Sequence, residues 1–323
     1  MDSTKVGLDD KPNKRIAIVF PGQGSQNVGM LTELSEEYPI ITQTFTEASN
    51  ALGFDLWEVC QDEQQLNQTE YTQPALLTAS VALWRVLKDQ VEQPVFMAGH
   101  SLGEFSALCA SGAISLADAV VLVHKRGKLM QEAVANQETM MAAVLGLEDE
   151  QVLSLCEQIR ELDEAASVNP ANFNSPGQVV IAGNKTGVEQ VVEQVKNNLG
   201  KKAIPLKVSV PSHCELMQPA SEALQAELNR VKINEPLIPV IQNRHARVEK
   251  TMPNIKQALV EQLSNPVQWA KTIEELAAKQ VELLIEVGSG NVLTNLTKRQ
   301  KNVIPAYPTD RPERLQKLFE ELS

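Results

Sequence analysis

A serine with a glycine two residues away on either side stands at Gly99-His100-Ser101-Leu102-Gly103, the only G-x-S-x-G run in the chain. In that pattern a strand runs into a sharp turn, a helix follows, and the serine hydroxyl is exposed at the apex. The flanking positions must be small because side chains there would collide. The chemistry this suits is acyl transfer through a serine ester. The backbone N–H of Leu102 would face a developing oxyanion, aided by the positive end of the following helix. A plain turn with a capping serine would need only one glycine.

A serine nucleophile needs a base, and the chain has 4 histidines. His100 adjoins the serine and is expected to point away from it along the turn. His124 reads as a packed or surface residue on a helix. His245, in Arg244-His245-Ala246-Arg247, reads as part of a solvated basic segment. His213, in Val210-Pro211-Ser212-His213-Cys214, is expected to follow a strand directly, and strand ends are where α/β sheets gather ligands. By elimination and position, His213 is the base. No histidine lies beyond His245, which disfavours the Ser…Asp/Glu…His order of esterases and lipases. The Gly-rich stretch from Gly22 to Gly29 fails as a nucleotide loop. Asn27 stands where a dinucleotide fingerprint needs glycine, and Met30 and Leu31 stand where a phosphate loop needs Lys and Ser/Thr. A backbone donor loop is the better use, with Gln23 N–H as a second oxyanion contact.

The elements that must position these residues follow from periodicity. Ile16–Phe20, Val95–Ala98, 237–242 and 283–287 read as buried strands. Thr78–Leu87, Leu102–Ala110 and 116–130 read as helices. Strands alternating with helices predict a mainly parallel sheet covered on both faces. The middle has another rhythm: strand 140–147, helix 150–159, strands 167–173 and 178–182, then a helix with Val188, Val191, Val192, Val195 and Leu199 on one face, and a strand over 202–210. That β-α-β-β-α-β order is the ferredoxin-like pattern. The predicted fold class is therefore α/β: a larger α/β core, residues 15–137 and 209–323, carrying an inserted ferredoxin-like subdomain, 138–208. A cleft between the two is the natural substrate site.

Bulk properties narrow the class. The chain has 323 residues, 43% hydrophobic and 22% charged, enough for a large core. A net charge of -12 argues against nucleic acid as a partner. No apolar run approaches the length of a membrane span. Residues 1–14 carry mixed charge without an apolar segment and read as a disordered leader. The 4 cysteines lack C-x-x-C spacing and read as reduced thiols in a cytoplasmic protein. No histidine has zinc-site spacing, so no metal is expected.

Taken together, Phe20-Pro-Gly-Gln-Gly-Ser-Gln26, Gly99-His-Ser-Leu-Gly-Glu104, Arg126-Gly-Lys-Leu-Met130, Asn172-Phe-Asn-Ser-Pro-Gly177, Val210-Pro-Ser-His213, Gln262-Leu-Ser-Asn-Pro-Val267 and Glu286-Val-Gly288 resemble the malonyl-CoA:acyl carrier protein transacylases of dissociated fatty acid synthesis. The resemblance spans about Ile16 to Arg299. It implies an α/β-hydrolase-like core with a ferredoxin-like insert, Ser101 as the residue that forms the malonyl ester, and His213 as base and then acid. The imidazole would be held by a backbone carbonyl of the Gln262–Pro266 segment rather than by an aspartate. Gln23 and Leu102 would supply the oxyanion hole, Arg126 would hold the free malonyl carboxylate, and Asn172 would face the cleft. Without the motif, Arg126 reads as a solvated helix residue beside Lys125 and Lys128. A guanidinium suits the role because it grips a carboxylate through two parallel hydrogen bonds. The resemblance also implies malonyl-CoA as a substrate, no bound cofactor, and acyl carrier protein as partner. Lys201 and Lys202 are candidates for a coenzyme A phosphate. Lys298, Arg299, Lys301, Arg244 and Arg247 are candidates for the carrier. Gly288-Ser289-Gly290 departs from the family's glycine-proline-glycine turn. A polyketide-loading transferase shares every motif. A serine esterase or thioesterase, or a non-catalytic binding module, are readings of other classes.

Overall fold

The computed structural model describes residues 14–91 and 93–322, so the expected leader lies outside the described residues except for Lys14. In chain order the elements are β1 (Ile16–Phe20), α1 (Thr32–Glu37), α2 (Pro39–Leu52), α3 (Leu56–Val59), α4 (Glu63–Leu66), α5 (Thr69–Leu87), β2 (Phe96–Gly99), α6 (Leu102–Ala110), α7 (Leu116–Ala133), β3 (Thr139–Leu145), α8 (Asp149–Leu162), β4 (Val168–Ser175), β5 (Gln178–Asn184), α9 (Lys185–Glu193), β6 (Lys202–Pro205), α10 (Gln218–Arg230), β7 (Val240–Gln242), β8 (Arg247–Val248), α11 (Met252–Ser264), α12 (Trp269–Ala278), β9 (Leu283–Glu286), α13 (Val292–Thr297), β10 (Ala306–Pro308) and α14 (Pro312–Leu322).

The larger sheet has the order β10-β9-β1-β2-β7-β8. Its neighbours are parallel from β10 to β7, and β8 returns antiparallel on β7. Every residue of β1 is buried, as an apolar run covered on both faces requires. The period of two divides it between two cores. Ile16, Ile18 and Phe20 join the core that includes α5, α6 and α7 residues, while Ala17 and Val19 pack with Trp269, Ile273 and Leu276 of α12. Phe20 is in register with Gly99. The Gly22 loop and the Ser101 turn therefore leave the sheet side by side at the carboxyl ends of their strands, where α/β sheets build sites.

The second sheet is antiparallel, in the order β4-β5-β3-β6. Val144, Val179 and Ile181 meet Val152, Cys156 and Ile159 of α8 and Val188, Val191 and Val192 of α9 in a core of their own. We propose the division into a core of 15–137 with 209–323 and a small subdomain of 138–208, which the two separate sheets support.

Several expected boundaries move. Leu199 leaves the apolar face and is 47% exposed, because α9 gives way to a π-turn at Gln194–Asn198. The strand expected over 202–210 stops at Pro205, whose ring supplies no N–H for a further ladder bond. The strand expected from Leu237 begins at Val240, after Pro239, and Leu237 itself is 80% exposed. The helix expected from Thr78 begins nine residues earlier, at Thr69, with Pro74 inside it. Proline cannot donate to the carbonyl four residues back. The orphaned oxygen of Glu70 instead receives the ring nitrogen of His124 at 2.8 Å. Gly127 permits that approach, since a Cβ there would lie 2.6 Å from the Glu70 Cα. α5 and α7 thus dock backbone to backbone, which sets the position of Arg126.

Candidate active site

Ser101 sits between β2 and α6 with φ 53 and ψ -109. A non-glycine residue in such a region costs of order 1–3 kcal/mol and persists only where its surroundings enforce it. Here the surroundings are backbone packed on backbone. A Cβ on Gly99 would lie 1.9 Å from the Gly103 carbonyl, one on Gly103 would lie 2.1 Å from the Phe20 oxygen, and one on Gly22 would lie 2.4 Å from the His100 oxygen. Asn243 clamps the turn from β7's loop: its Oδ1 accepts from Ser101 N–H at 2.6 Å and its amide donates to the Gly99 carbonyl.

His213 also adopts a positive φ, of 65. It lies on a loop eight residues past the end of β6, not directly after a strand. Its N–H donates to the Leu263 carbonyl, tying the loop to the end of α11. The imidazole is 2% exposed. Nε2 is 2.7 Å from Ser101 Oγ, and Nδ1 is 2.7 Å from the Gln262 carbonyl oxygen. A carbonyl only accepts, so Nδ1 carries the proton and Nε2 presents its lone pair to the serine. Burial first, then the Arg126 guanidinium, pulls the imidazole down to about 3, against the opposing bond to Gln262. The ring is therefore neutral at neutral pH, the state in which it can take the serine proton.

Arg126 is not solvated: it is 1% exposed. Its Nη2 is 3.5 Å from Ser101 Oγ and 2.9 Å from Gln262 Oε1, and its Nη1 donates to Gln73 Oε1 at 2.8 Å. The Phe105 ring lies beneath it, 5.3 Å from the guanidinium carbon, a cation–π contact that favours the charged form. Burial lowers its pKa to about 10, partly offset by Glu104, and it remains a cation at neutral pH. Its Nε makes no hydrogen bond among the described residues.

A cavity of about 90 Å³ opens onto this cluster, lined by Gln23, His100 and Ser101 from the loops after β1 and β2, by Met141 and Asn172 of the second sheet, and by Leu206, Val208, Val210, Ser212 and His213. Larger concavities, around Phe45 and Trp57 and around Met30 and Asp310, lie elsewhere and contain none of these groups. A hydroxyl and a neutral imidazole lining one small cavity, with a buried cation 3.5 Å from the hydroxyl, can form an ester and hold an anionic group near it.

The acyl transferase domain family matches residues 17–307. The chain belongs to that family. Malonyl CoA-acyl carrier protein transacylases of Salmonella typhimurium and Escherichia coli K12 are each 52% identical to it, over 304 and 301 residues, covering 93% and 92% of this chain and 97% and 96% of theirs. Among solved structures, FabD from Acinetobacter baumannii superposes with a TM-score of 0.93 at 49% identity, covering 96% of this chain and 98% of that one. A malonyl-transacylase solved with a type II polyketide acyl-carrier protein superposes with a TM-score of 0.91 at 45% identity, covering 95% and 99%.

Other positions in this acyl transferase are distributed as follows. Gln23 lines the cavity, its side chain donating to Thr69 Oγ1 at 3.0 Å, and Asn172 is buried on β4. Lys201 and Lys202 are exposed and do not line the cavity; Lys202 opposes Leu145 at the far end of β6 from Leu206. Arg244 lies 3.7 Å from Glu261, Arg299 donates to Gln178, and Arg247, Lys298 and Lys301 are exposed. His245 is partly buried, 2.9 Å from Glu249, rather than solvated. His100 is occupied by Asn174 Oδ1 at 2.8 Å and packs on Trp269.

Sequence reasoning missed Gln73, Asn243 and Glu104 as parts of this cluster. Glu104 ends the Gly99–Glu104 motif, and a carboxylate in an otherwise apolar helix was the available signal. Gln73, beside Pro74, had none, and Asn243 lies far from every motif.

Proposed function

We propose that the chain moves a malonyl group from malonyl-CoA to the phosphopantetheine thiol of acyl carrier protein, through a malonyl-Ser101 ester, as a loading step of fatty acid synthesis. The observation that carries this reading is that one oxygen, Ser101 Oγ, lies 2.7 Å from a neutral buried imidazole and 3.5 Å from a buried guanidinium. The imidazole suits the ester chemistry and the guanidinium suits an acyl group ending in a carboxylate. The relatives' names supply the substrate pair.

In the forward half-reaction His213 Nε2 takes the hydroxyl proton as Oγ attacks the thioester carbonyl. The oxyanion is held by the backbone N–H groups of Leu102 and Gln23. As the intermediate collapses, the imidazolium hands its proton to the coenzyme A sulfur, which leaves as the thiol. The carrier's thiol then repeats the sequence against the ester. Arg126 holds the distal carboxylate throughout. An acetyl group has no carboxylate to offer that cation and forgoes the attraction that malonyl gains. Gln262 serves all three parts: its carbonyl fixes the His213 tautomer, its Oε1 steadies Arg126, and its Nε2 donates to the Ser101 carbonyl at 3.0 Å.

Malonyl-CoA enters as substrate, and the chemistry calls on no resident cofactor. We place the protein in the cytoplasm, a setting its four free thiols fit. No helix among the described residues is long and apolar enough to cross a membrane. Intact-protein mass spectrometry tests the reading. A malonyl adduct should appear with malonyl-CoA, vanish on adding carrier, and be absent in Ser101→Ala. An adduct on Ser101→Ala would mean another nucleophile, and release of free malonate without carrier would mean a thioesterase.

A further inference from the structure

Glu104 is fully buried beside the reacting groups, yet the transfer as written gives it no part. Its Oε2 accepts from Asn243 N–H at 2.9 Å and from Gln262 Nε2 at 2.9 Å, while its Oε1 has no partner among the described residues. The Gln262 amide stands between it and Arg126, nitrogen toward the carboxylate and oxygen toward the guanidinium. That orientation is forced, because Arg126 can only donate and an ionised Glu104 can only accept. With Glu104 ionised, the cluster beside Ser101 holds one buried cation and one buried anion and is close to neutral.

A malonyl group disturbs this balance. Its carboxylate adds a second anion to a site with one cation, in surroundings where an uncompensated charge costs several kcal/mol. Other titratable groups offer no relief. α6 packs on β1, β2, β7, α5 and α7, and the three strands carry none. On α5, Glu70 lies at the start with its N–H bonded to Gln131, and Arg85, at the other end, pairs with Glu47. On α7, Lys125 pairs with Glu227, Asp118 caps the helix with Ser115, His124 binds the Glu70 carbonyl, and Lys128 and Glu132 are not fully buried. Arg126 alone on those helices acts electrostatically on Glu104. His213 and His100, nearby, are held neutral by burial.

We propose that Glu104 is the resident counter-ion of Arg126 in the empty site, and that it takes up a proton from solvent when the malonyl carboxylate replaces it in that role. This rests on malonyl transfer through Ser101 as read above. Burial supports it, holding Glu104 at about 7 even against its hydrogen bonds and Arg126, so little is needed to tip it. The proton balance of the ester step is otherwise closed: the serine proton passes through His213 to coenzyme A, whose thiol stays protonated at pH 7. Net uptake therefore reports Glu104. An acetyl group brings no charge and leaves Glu104 as the partner of Arg126, so proton uptake marks malonyl alone.

Stoichiometric malonylation in weakly buffered solution at pH 7, followed with a pH indicator, tests this directly. A fraction of a proton should be consumed per malonyl ester at pH 7, rising towards one when the measurement is repeated at higher pH, with none on acetylation. The infrared band of a protonated buried carboxyl should grow in step. In Glu104→Gln the uptake and the band should both vanish. The KM for malonyl-CoA, which in the wild type should rise about tenfold per pH unit above 7 as the binding-competent fraction falls, should become flat. A complete malonyl adduct with no proton uptake overturns the proposal and leaves the transfer reading intact. An unchanged pH dependence in a folded Glu104→Gln protein overturns it as well. Absence of the adduct at Ser101 would instead strike the transfer reading itself.

Discussion

Replacing Arg126 by alanine removes the guanidinium that lies 3.5 Å from Ser101 Oγ. Truncating one partner of a buried, hydrogen-bonded charge pair costs about 2–5 kcal/mol, which at 1.36 kcal/mol per decade is about 30-fold to a few thousand-fold in kcat/KM for malonyl-CoA. Acetyl-CoA has no carboxylate to lose a partner, so its kcat/KM should stay within a few-fold or rise. The ratio of the two, not either alone, is the quantity that isolates the clamp. The fold should survive: Gln73 and Gln262 lose a donor, and Glu104 loses its cation but can shed its charge by binding a proton. The assay is carrier loading with each acyl-CoA over a range of concentrations, with circular dichroism and thermal melting to verify the variant is folded. A folded variant that keeps its malonyl preference would refute the assignment of the buried guanidinium as the selecting group.

Four further outcomes are expected. His213→Ala should slow both half-reactions by about 10²- to 10⁴-fold in rapid-quench assays with malonyl-CoA and with carrier. Because the folded-state imidazole lies near 3 rather than 6.5, wild-type acylation should show no acid-limb inflection between pH 6.5 and 5. The same depression links to stability. The unfolded chain binds this proton first as pH falls, so His213's contribution is complete above about 6.5 and is lost progressively down to about 3. Between pH 6.5 and 5 that is about 2 kcal/mol, read as the difference between the urea-denaturation pH profiles of wild type and His213→Ala. Gly103→Ala places a Cβ 2.1 Å from the Phe20 oxygen and should destabilise by about 3 kcal/mol or more, read by urea midpoint and soluble yield; a near-neutral result would mean the turn yields easily.

Legibility varied by kind of signal. β1 and the α6 segment could be read because an apolar run and a glycine-bounded serine are local patterns with local causes. The valine face of α9 could be read as far as Val195, but not the π-turn that exposes Leu199. The early start of α5 was hidden, because Pro74 reads as a helix breaker unless His124, 50 residues later, supplies the missing donor to the Glu70 carbonyl. His213 was found by elimination, though the strand invoked to place it ends at Pro205.

The amino-acid sequence alone determined the kinds of chemistry available: a serine on a turn that tolerates no side chains beside it, a short choice of bases, and alternating strands and helices that must bury a parallel sheet. The tertiary structure decided which groups share a charge and a proton. Whether Arg126 is a solvated surface cation or a buried clamp depends on Gly127 letting α7 rest on α5 and on Gln73 and Gln262 arriving from either side. Whether Glu104 is a plain helix residue or its counter-ion depends on the same convergence. Desolvation and proximity act through space, and neither is encoded at any single position in the chain.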